Sequence, residues 1–438
     1  MDLRGRLPLK KAAIILLTLL WCIYIALPLH LFQPFRWTLW GQSIPVYYFF
    51  TVIPIPALSL YALSAKQNWS KWKILWWIFP LACLPGIFIN PDSAWGARQW
   101  FSLMARGIAA GGTLFLLSSE KQTAFKIVRG VYLVAVAAAF FGIFELYFNH
   151  NPIVDRYIGQ NIPSTAKTDN LFYRPPSSHT GSTRPLGTQG NRIPYIAILL
   201  PFIPLGLWGM QYGKQWKWLQ VAAVCPLILA AFWAPARSGW VGLASTLVIY
   251  SVLTFKENKR FLPNSFLLLL GIILLGWTIP SIRQRTLQSA ASFNLQDRNI
   301  LHRLGSYPTA QALKGHWLSG VGYGRYPQVY RPYYRGPIPD LPTPDNQYLR
   351  WLIETGLVGF AALALFLGGL IRAVWKKIKT LEDSETAGFY KALLAGWAGI
   401  ATTFLFFDGF YWGACNMTFW CFLGLLATCL KPEQISHA

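Results

Sequence analysis

Long apolar runs alternate with short polar connections along most of the chain. The runs are roughly 17–22 residues long, the length of helix needed to cross about 30 Å of hydrocarbon at 1.5 Å per residue. Backbone in hydrocarbon must satisfy its own hydrogen bonds, so each run predicts a helix. The predicted spans lie near 12–32, 44–64, 74–90, 100–118, 128–148, 194–210, 218–234, 238–254, 262–279, 347–371, 388–407 and 412–430. The opening MDLRGRLPLKK and the apolar run after it resemble a signal peptide. That run is too long for one and lacks a small-residue cleavage site, so an uncleaved first helix is expected. No internal repeat is visible, and with it goes the inverted-repeat signature of many transporters.

Loop charge orients this pattern. Lys66, Lys71 and Lys73, Lys121 and Lys126, Lys214 and Lys217, Lys256 and Lys259, and Lys376, Lys377 and Lys379 all fall on every second connection. The positive-inside bias puts those connections, with both termini, in the cytoplasm. The fold class expected is an all-α integral membrane protein of about 12 transmembrane helices. It divides into helices one to five (1–148), a first outer loop (149–193), helices six to nine (194–279), a large outer loop (280–346), and helices ten to twelve with a cytoplasmic tail (347–438). The large loop begins with helix-permissive stretches and ends in Gly- and Pro-rich turns. It predicts short amphipathic helices near the membrane surface, then an ordered irregular segment. A structureless loop of that length is unusual unless it is functional.

Composition sharpens the class. Hydrophobic residues make up 54% of the chain and charged residues 13%, against roughly 25% charged in soluble domains. Lys and Arg number 39 against 16 acidic residues, yet no soluble domain concentrates them, so nucleic acid is not the expected partner. Cys22, Cys83, Cys225, Cys415, Cys421 and Cys429 lie in or beside apolar runs without metal-ligand spacing. The expectation is therefore no metal and no cofactor.

Arginine, not lysine, dominates the predicted outer loops: Arg156, Arg174, Arg184 and Arg192 in the first, and Arg283, Arg285, Arg298, Arg303, Arg325, Arg331 and Arg335 in the second. Positive-inside bias does not account for these. Guanidinium groups suit bidentate binding of phosphate, and lipid headgroup contact is the plainer use. Arg237 sits in AFWAPARSGWVGL, where Pro235 separates two apolar runs into a hairpin. A charge there is costly unless it meets an anion or anchors the interface, and Ser238 and Gly239 could open a helix N-terminus beside it. Asp345 lies where a Pro-rich loop meets the tenth span, suited either to cap that helix or to act as a general base. Glu354 and Glu145 are candidate buried partners of arginine, His302 and His316 alternative bases, and Asp92 and Asp408 weaker candidates. The run GVGYGRY reads as turn chemistry rather than a phosphate loop. Tyr323, Tyr326, Tyr330, Tyr333 and Tyr334 could stack on sugar faces or pack the loop.

These motifs resemble the O-antigen ligase and polymerase superfamily of bacterial membrane glycosyltransferases, over roughly 184–370. The resemblance rests on RPLGTQGNRIPYIAILLP, ARSGWVGL, HRLGSYPTAQALKGHWLSGVGYGRY and DNQYLRWLIETGLVG, in that order. It implies a GT-C-like fold in the bacterial inner membrane, with metal-independent transfer at the periplasmic face. The donor it implies is a glycan on undecaprenyl diphosphate. The acceptor is a sugar hydroxyl, on a lipopolysaccharide core for ligases or on a second lipid-linked repeat for polymerases of O-antigen or exopolysaccharide. Arg237 and Arg303 match family arginines that hold the diphosphate, and Arg184 fits a further one. Asn346, Tyr348, Glu354, His302 and Arg283 are possible supporting residues. Ligases of the family typically carry His-Asn where this chain has Asp345-Asn346, which makes the implied base a carboxylate. The alternative of another class is a small-anion (inorganic-carbon) transporter, for which a bulky Arg-bearing loop has no evident use.

Overall fold

The computed structural model describes residues 6–27, 36–39, 42–45, 54–64, 71–89, 93–118, 121–148, 151–152, 187–189, 191–212, 217–234, 236–255 and 298–431, with isolated positions between 267 and 287. In chain order its regular elements are α1 (Arg6–Ala26), β1 (Arg36–Leu39), β2 (Gln42–Pro45), α2 (Pro54–Ser64), α3 (Lys71–Ile78), α4 (Pro85–Ile89), α5 (Ser93–Leu103), α6 (Ala110–Leu117) and α7 (Lys121–Phe148). There follow α8 (Arg192–Leu199), α9 (Phe202–Tyr212), α10 (Lys217–Trp233), α11 (Arg237–Thr254), α12 (Arg298–Ser306), α13 (Tyr326–Val329), α14 (Gln347–Ile378), α15 (Ser384–Thr403) and α16 (Gly413–Ala427).

Among the described residues, six helical stretches are long and apolar enough to cross a membrane: Leu9–Ala26, Gly96–Leu117, Gln122–Glu145, Arg192–Tyr212, Gln347–Ile378 and Gly413–Leu430. Val241, Val248 and Val252 on α11 are 43%, 59% and 69% exposed. Such an apolar stripe is expected of a helix that faces lipid. The chain is an α-helical integral membrane protein.

The predicted spans map unevenly onto these helices. Within the span expected at 44–64, Gln42–Pro45 instead pairs with Arg36–Leu39 in a two-stranded antiparallel ribbon, Pro54–Ser64 is helical, and 46–53 lie outside the described residues. The span at 74–90 is broken into α3, a 3-10 turn (Phe79–Cys83) and α4. Pro80 and Pro85 have no N–H to continue a helical ladder. Pro201 likewise separates α8 from α9. Most of the expected span at 262–279 and of the 149–193 connection lies outside the described residues.

Packing centres on α16, where Phe419, Trp420, Cys421, Phe422 and Leu423 have no exposed surface. Trp21 of α1 donates to Thr418 Oγ1 at 3.1 Å, and Trp76 of α3 donates to the Ile108 carbonyl at 2.8 Å. Both indoles thus carry apolar bulk into the core while their N–H groups stay bonded. Helices α11 and α15 meet along small residues: Gly242 faces Thr403 and Gly399 faces Thr246, while Ser245 and Thr402 share a 3.0 Å hydrogen bond. Small residues allow this close approach, which brings the start of α11 beside the end of α15.

Helix α14 is the element that organises the large loop. It is broken at Gly356, whose φ is +66°. The break frees backbone groups, and the loop takes them up. Val321 and Gly322 donate to the carbonyls of Ile353 and Glu354 at 2.9 and 3.1 Å, and Leu357 and Val358 donate to the carbonyls of Trp317 and Leu318 at 2.8 and 3.1 Å. The Gly-rich run is turn chemistry as expected, with positive φ at Gly320, Gly322 and Gly324, but it also docks on a membrane helix. A Cβ on Gly320 would lie 2.5 Å from the backbone carbon of Glu354, whereas one on Gly315 would meet nothing within 4 Å. Both glycines have positive φ, so Ala at either costs about 1–2 kcal/mol in backbone strain. Gly320→Ala adds a backbone clash, and it should lower the thermal midpoint clearly more than Gly315→Ala. Equal shifts would remove the close approach from the account.

Candidate active site

The head of α14 is fixed from three sides. Asn346 caps it, its side chain accepting the N–H groups of Tyr348 and Leu349 at 3.0 and 3.1 Å. The cap is therefore Asn346, and Asp345, a candidate for that role, is released from it. Gln347 donates its N–H to the Phe404 carbonyl and accepts the Phe410 N–H, both at 2.8 Å. The Tyr348 hydroxyl donates to the Ala401 carbonyl at 2.9 Å, so this predicted supporting residue tethers α14 to α15.

Asp345 is the only non-glycine residue with positive φ (47°) among the described residues. Aspartate tolerates this region better than most residues, and such strain clusters at functional sites. Thr343 Oγ1 donates to its carboxylate at 3.0 Å and accepts its N–H at 3.1 Å. Arg303 Nη2 stands 3.9 Å from Asp345 Oδ2, and the Arg303 guanidinium also reaches the Phe406 carbonyl at 3.4 Å and lies over the Phe406 ring. Arg237 opens α11 directly after Ala236, whose extended backbone marks the cap, so the helix starts one residue before Ser238. Arg237, Arg303, Asp345 and Asn346 line one cleft of about 270 Å³, whose other walls include Val241, Leu304 and Phe406. Two arginines, one carboxylate and the N-terminal end of α11 thus meet over apolar walls. This arrangement can hold an anion and, beside it, withdraw a proton.

Electrostatics favour that use. About a quarter of the Asp345 side chain is open, but burial of its carboxylate pushes the pKa up to about 6, against the opposing pull of Arg303. A carboxylate tuned toward neutrality is a better proton acceptor than an ordinary surface aspartate. His302 is almost fully buried, and that burial pushes its pKa down.

A second charged cluster lies on the adjoining face of α14. Arg350 bonds Glu354 Oε1 through Nε at 3.0 Å and Asp408 Oδ2 through Nη1 at 2.6 Å, and its guanidinium stacks 3.4 Å from the Tyr411 ring centroid. Glu354 also accepts the Tyr326 N–H at 3.3 Å and the Tyr411 hydroxyl. This network ties the loop, α14 and the 404–411 turn together. Glu354 is a buried partner of an arginine as expected. Arg350 has one local signal, its spacing four residues before Glu354, and nothing local links Asp408 to a residue 58 positions away.

Other expectations divide. Glu145 accepts the Gly187 N–H at 2.8 Å, helping to seat a buried Gly187–Gln189 turn against the end of α1. Tyr323, Tyr326, Tyr330 and Tyr334 are buried and packed on one another or on Tyr411. Packing, not sugar stacking, is their role here. Arg283 is exposed and does not line the cleft. Arg184 lies outside the described residues.

The fold and this cleft define a multi-pass α-helical membrane protein with a cleft at one end of its bundle that two arginines and a carboxylate line. Residues 222–364 match the family model described as O-antigen ligase. Arg237, Arg303 and Asp345 all fall inside that stretch. None of the curated proteins matches the chain.

Proposed function

We propose that this protein is a membrane glycosyltransferase that moves a glycan from a polyprenyl diphosphate to a sugar hydroxyl at the outer face of the cytoplasmic membrane. The observation that carries the reading is the convergence of Arg237, Arg303 and Asp345 on one cleft within the stretch that matches the ligase family. This reading carries with it about twelve spans, termini in the cytoplasm, and the 280–346 loop outside.

In this reading the donor's diphosphate lies against Arg237 and Arg303. Asp345 takes the proton of the acceptor hydroxyl while that oxygen bonds to the anomeric carbon. The bond from the anomeric carbon to the diphosphate oxygen breaks, and the diphosphate leaves with the electron pair. Negative charge on the leaving group grows along this path, so the arginines act most strongly in the transition state. The apolar walls suit the start of the lipid chain.

Purified wild-type protein incubated with an undecaprenyl-diphosphate glycan should yield transferred glycan and free lipid diphosphate. Arg237→Ala should lower that rate by about 10²–10³-fold, the usual cost of losing one charge-stabilising group, with folding unchanged. Near-normal turnover would remove Arg237 from the donor site. Failure of the wild-type protein to act on any acceptor would sink the enzyme reading and turn attention to transport in sealed vesicles. The Asp345-Asn346 pair, where ligases of the family typically carry His-Asn, fits a polymerase and a ligase for a different acceptor equally well. A ladder of products from one lipid-linked repeat would establish the polymerase, and single transfer to a different acceptor would establish the ligase.

A further inference from the structure

His302 adjoins Arg303 on α12, yet only 1% of its surface is exposed. Both of its ring nitrogens are engaged. Nε2 lies 3.0 Å from the Thr343 carbonyl oxygen. A carbonyl only accepts, so Nε2 carries the hydrogen. Nδ1 is then a lone pair, and it receives the Tyr334 hydroxyl at 2.7 Å. The Tyr334 oxygen in turn accepts the Ile338 N–H at 3.1 Å. No lone pair of the imidazole remains to take a proton from a substrate.

The direction of this chain of bonds is informative. It ends on Thr343, held between Pro342 and Pro344, and the Thr343 hydroxyl bonds both the carboxylate and the N–H of Asp345. Asp345 is the residue with the left-handed backbone. A strained turn persists only when its surroundings over-determine it, and here the imidazole supplies a fixed point on the peptide just before Pro344.

We infer that His302 is a positioning residue for glycan transfer: by donating from Nε2 to Thr343 it fixes the strained turn that aims Asp345 into the cleft, and it is not itself a base. The inference rests on the proposed transfer reaction, but its structural half can be measured without it.

Two substitutions separate the roles of the ring nitrogens. In His302→Gln the amide reaches the place of Nε2 and can still donate to Thr343. In His302→Asn it reaches only the place of Nδ1. Each full-length variant is measured for steady-state transfer from an undecaprenyl-diphosphate glycan and for amide hydrogen exchange across 340–347. His302→Gln should keep kcat within about 5-fold of wild type, with wild-type exchange. His302→Asn should lose about 100-fold in kcat, the scale of a 1 Å misplacement, with donor KM within about twofold and faster exchange at 345–347. Wild-type behaviour of both variants would reduce His302 to packing and overturn the inference. Loss of kcat in both with unchanged exchange would make His302 a proton carrier, which also overturns it. If His302→Asn does not fold, Tyr334→Phe removes the donor to Nδ1 while keeping the ring. It should lower kcat about 10-fold at unchanged donor KM, and an unchanged kcat would count against the clamp. Absence of transfer by the wild type would sink the reaction, while the exchange comparison still decides the clamp.

Discussion

Asp345→Asn is expected to cut glycan transfer by about 10²–10⁴-fold, the range supplied by a positioned general base, while leaving folding intact. The helix cap survives because Asn346, not Asp345, provides it. Only the ionised carboxylate can accept a proton, so the wild-type rate should rise with pH through about 6 and level off above it. Arg303 pulls this value down. Arg303→Gln should therefore move the acid limb to higher pH, besides weakening donor binding. The sign for stability is opposite to that for activity. Between the ordinary value of 3.8 and about 6 the folded protein holds the proton more tightly than the unfolded chain. This residue thus favours the fold at the acid end of that window and loses that contribution as pH rises through it. Full activity of Asp345→Asn at neutral pH would reduce Asp345 to a turn residue.

Arg350→Met is expected to be the most damaging change to stability. It strands the buried carboxylates of Glu354 and Asp408, and removing one partner from a buried ion pair costs about 3–5 kcal/mol. Because the network reaches the loop through the Tyr326 N–H, the 316–344 segment should also become sensitive to protease. Thermal unfolding and limited proteolysis would measure both. The triple variant Arg350→Met, Glu354→Gln, Asp408→Asn should regain much of the loss, since no unpaired charge remains. A single variant as stable as wild type would mean that the cluster is not the lock described.

Much of the fold was legible because hydrocarbon imposes a length on every helix. Apolar runs revealed most helices, and Pro235 revealed the α10–α11 turn, now seen with Trp240 bonded to the Phe232 carbonyl. The interruptions were harder. Pro80 and Pro85 lie inside an apolar run, which hydropathy reads as continuous although the backbone cannot be. Asp and Asn are about equally good caps, so the sequence left Asp345 open between cap and base, and the structure gives the cap to Asn346. Within the site, Arg237, Arg303 and Asp345 stood out as charges in unlikely places, and the structure brings them to one cleft. The contribution of Asp408 and the attachment of the Gly-rich run to α14 depend on contacts between distant segments, and neither leaves a local pattern. The five loop tyrosines left sugar stacking and packing both open, and the segment's need for its own core decides for packing at Tyr323, Tyr326, Tyr330 and Tyr334.

The joint at Gly356 has a consequence for how this protein can change over time. The loop is fastened to α14 by main-chain groups, which every residue carries, and it demands glycine only where the backbones nearly touch. Side chains such as Trp317 and Leu318 are exposed there and take no part in the fastening. Sequence can drift at those positions, altering what the loop presents to its surroundings, without unfastening it from the helix whose head Asp345 precedes.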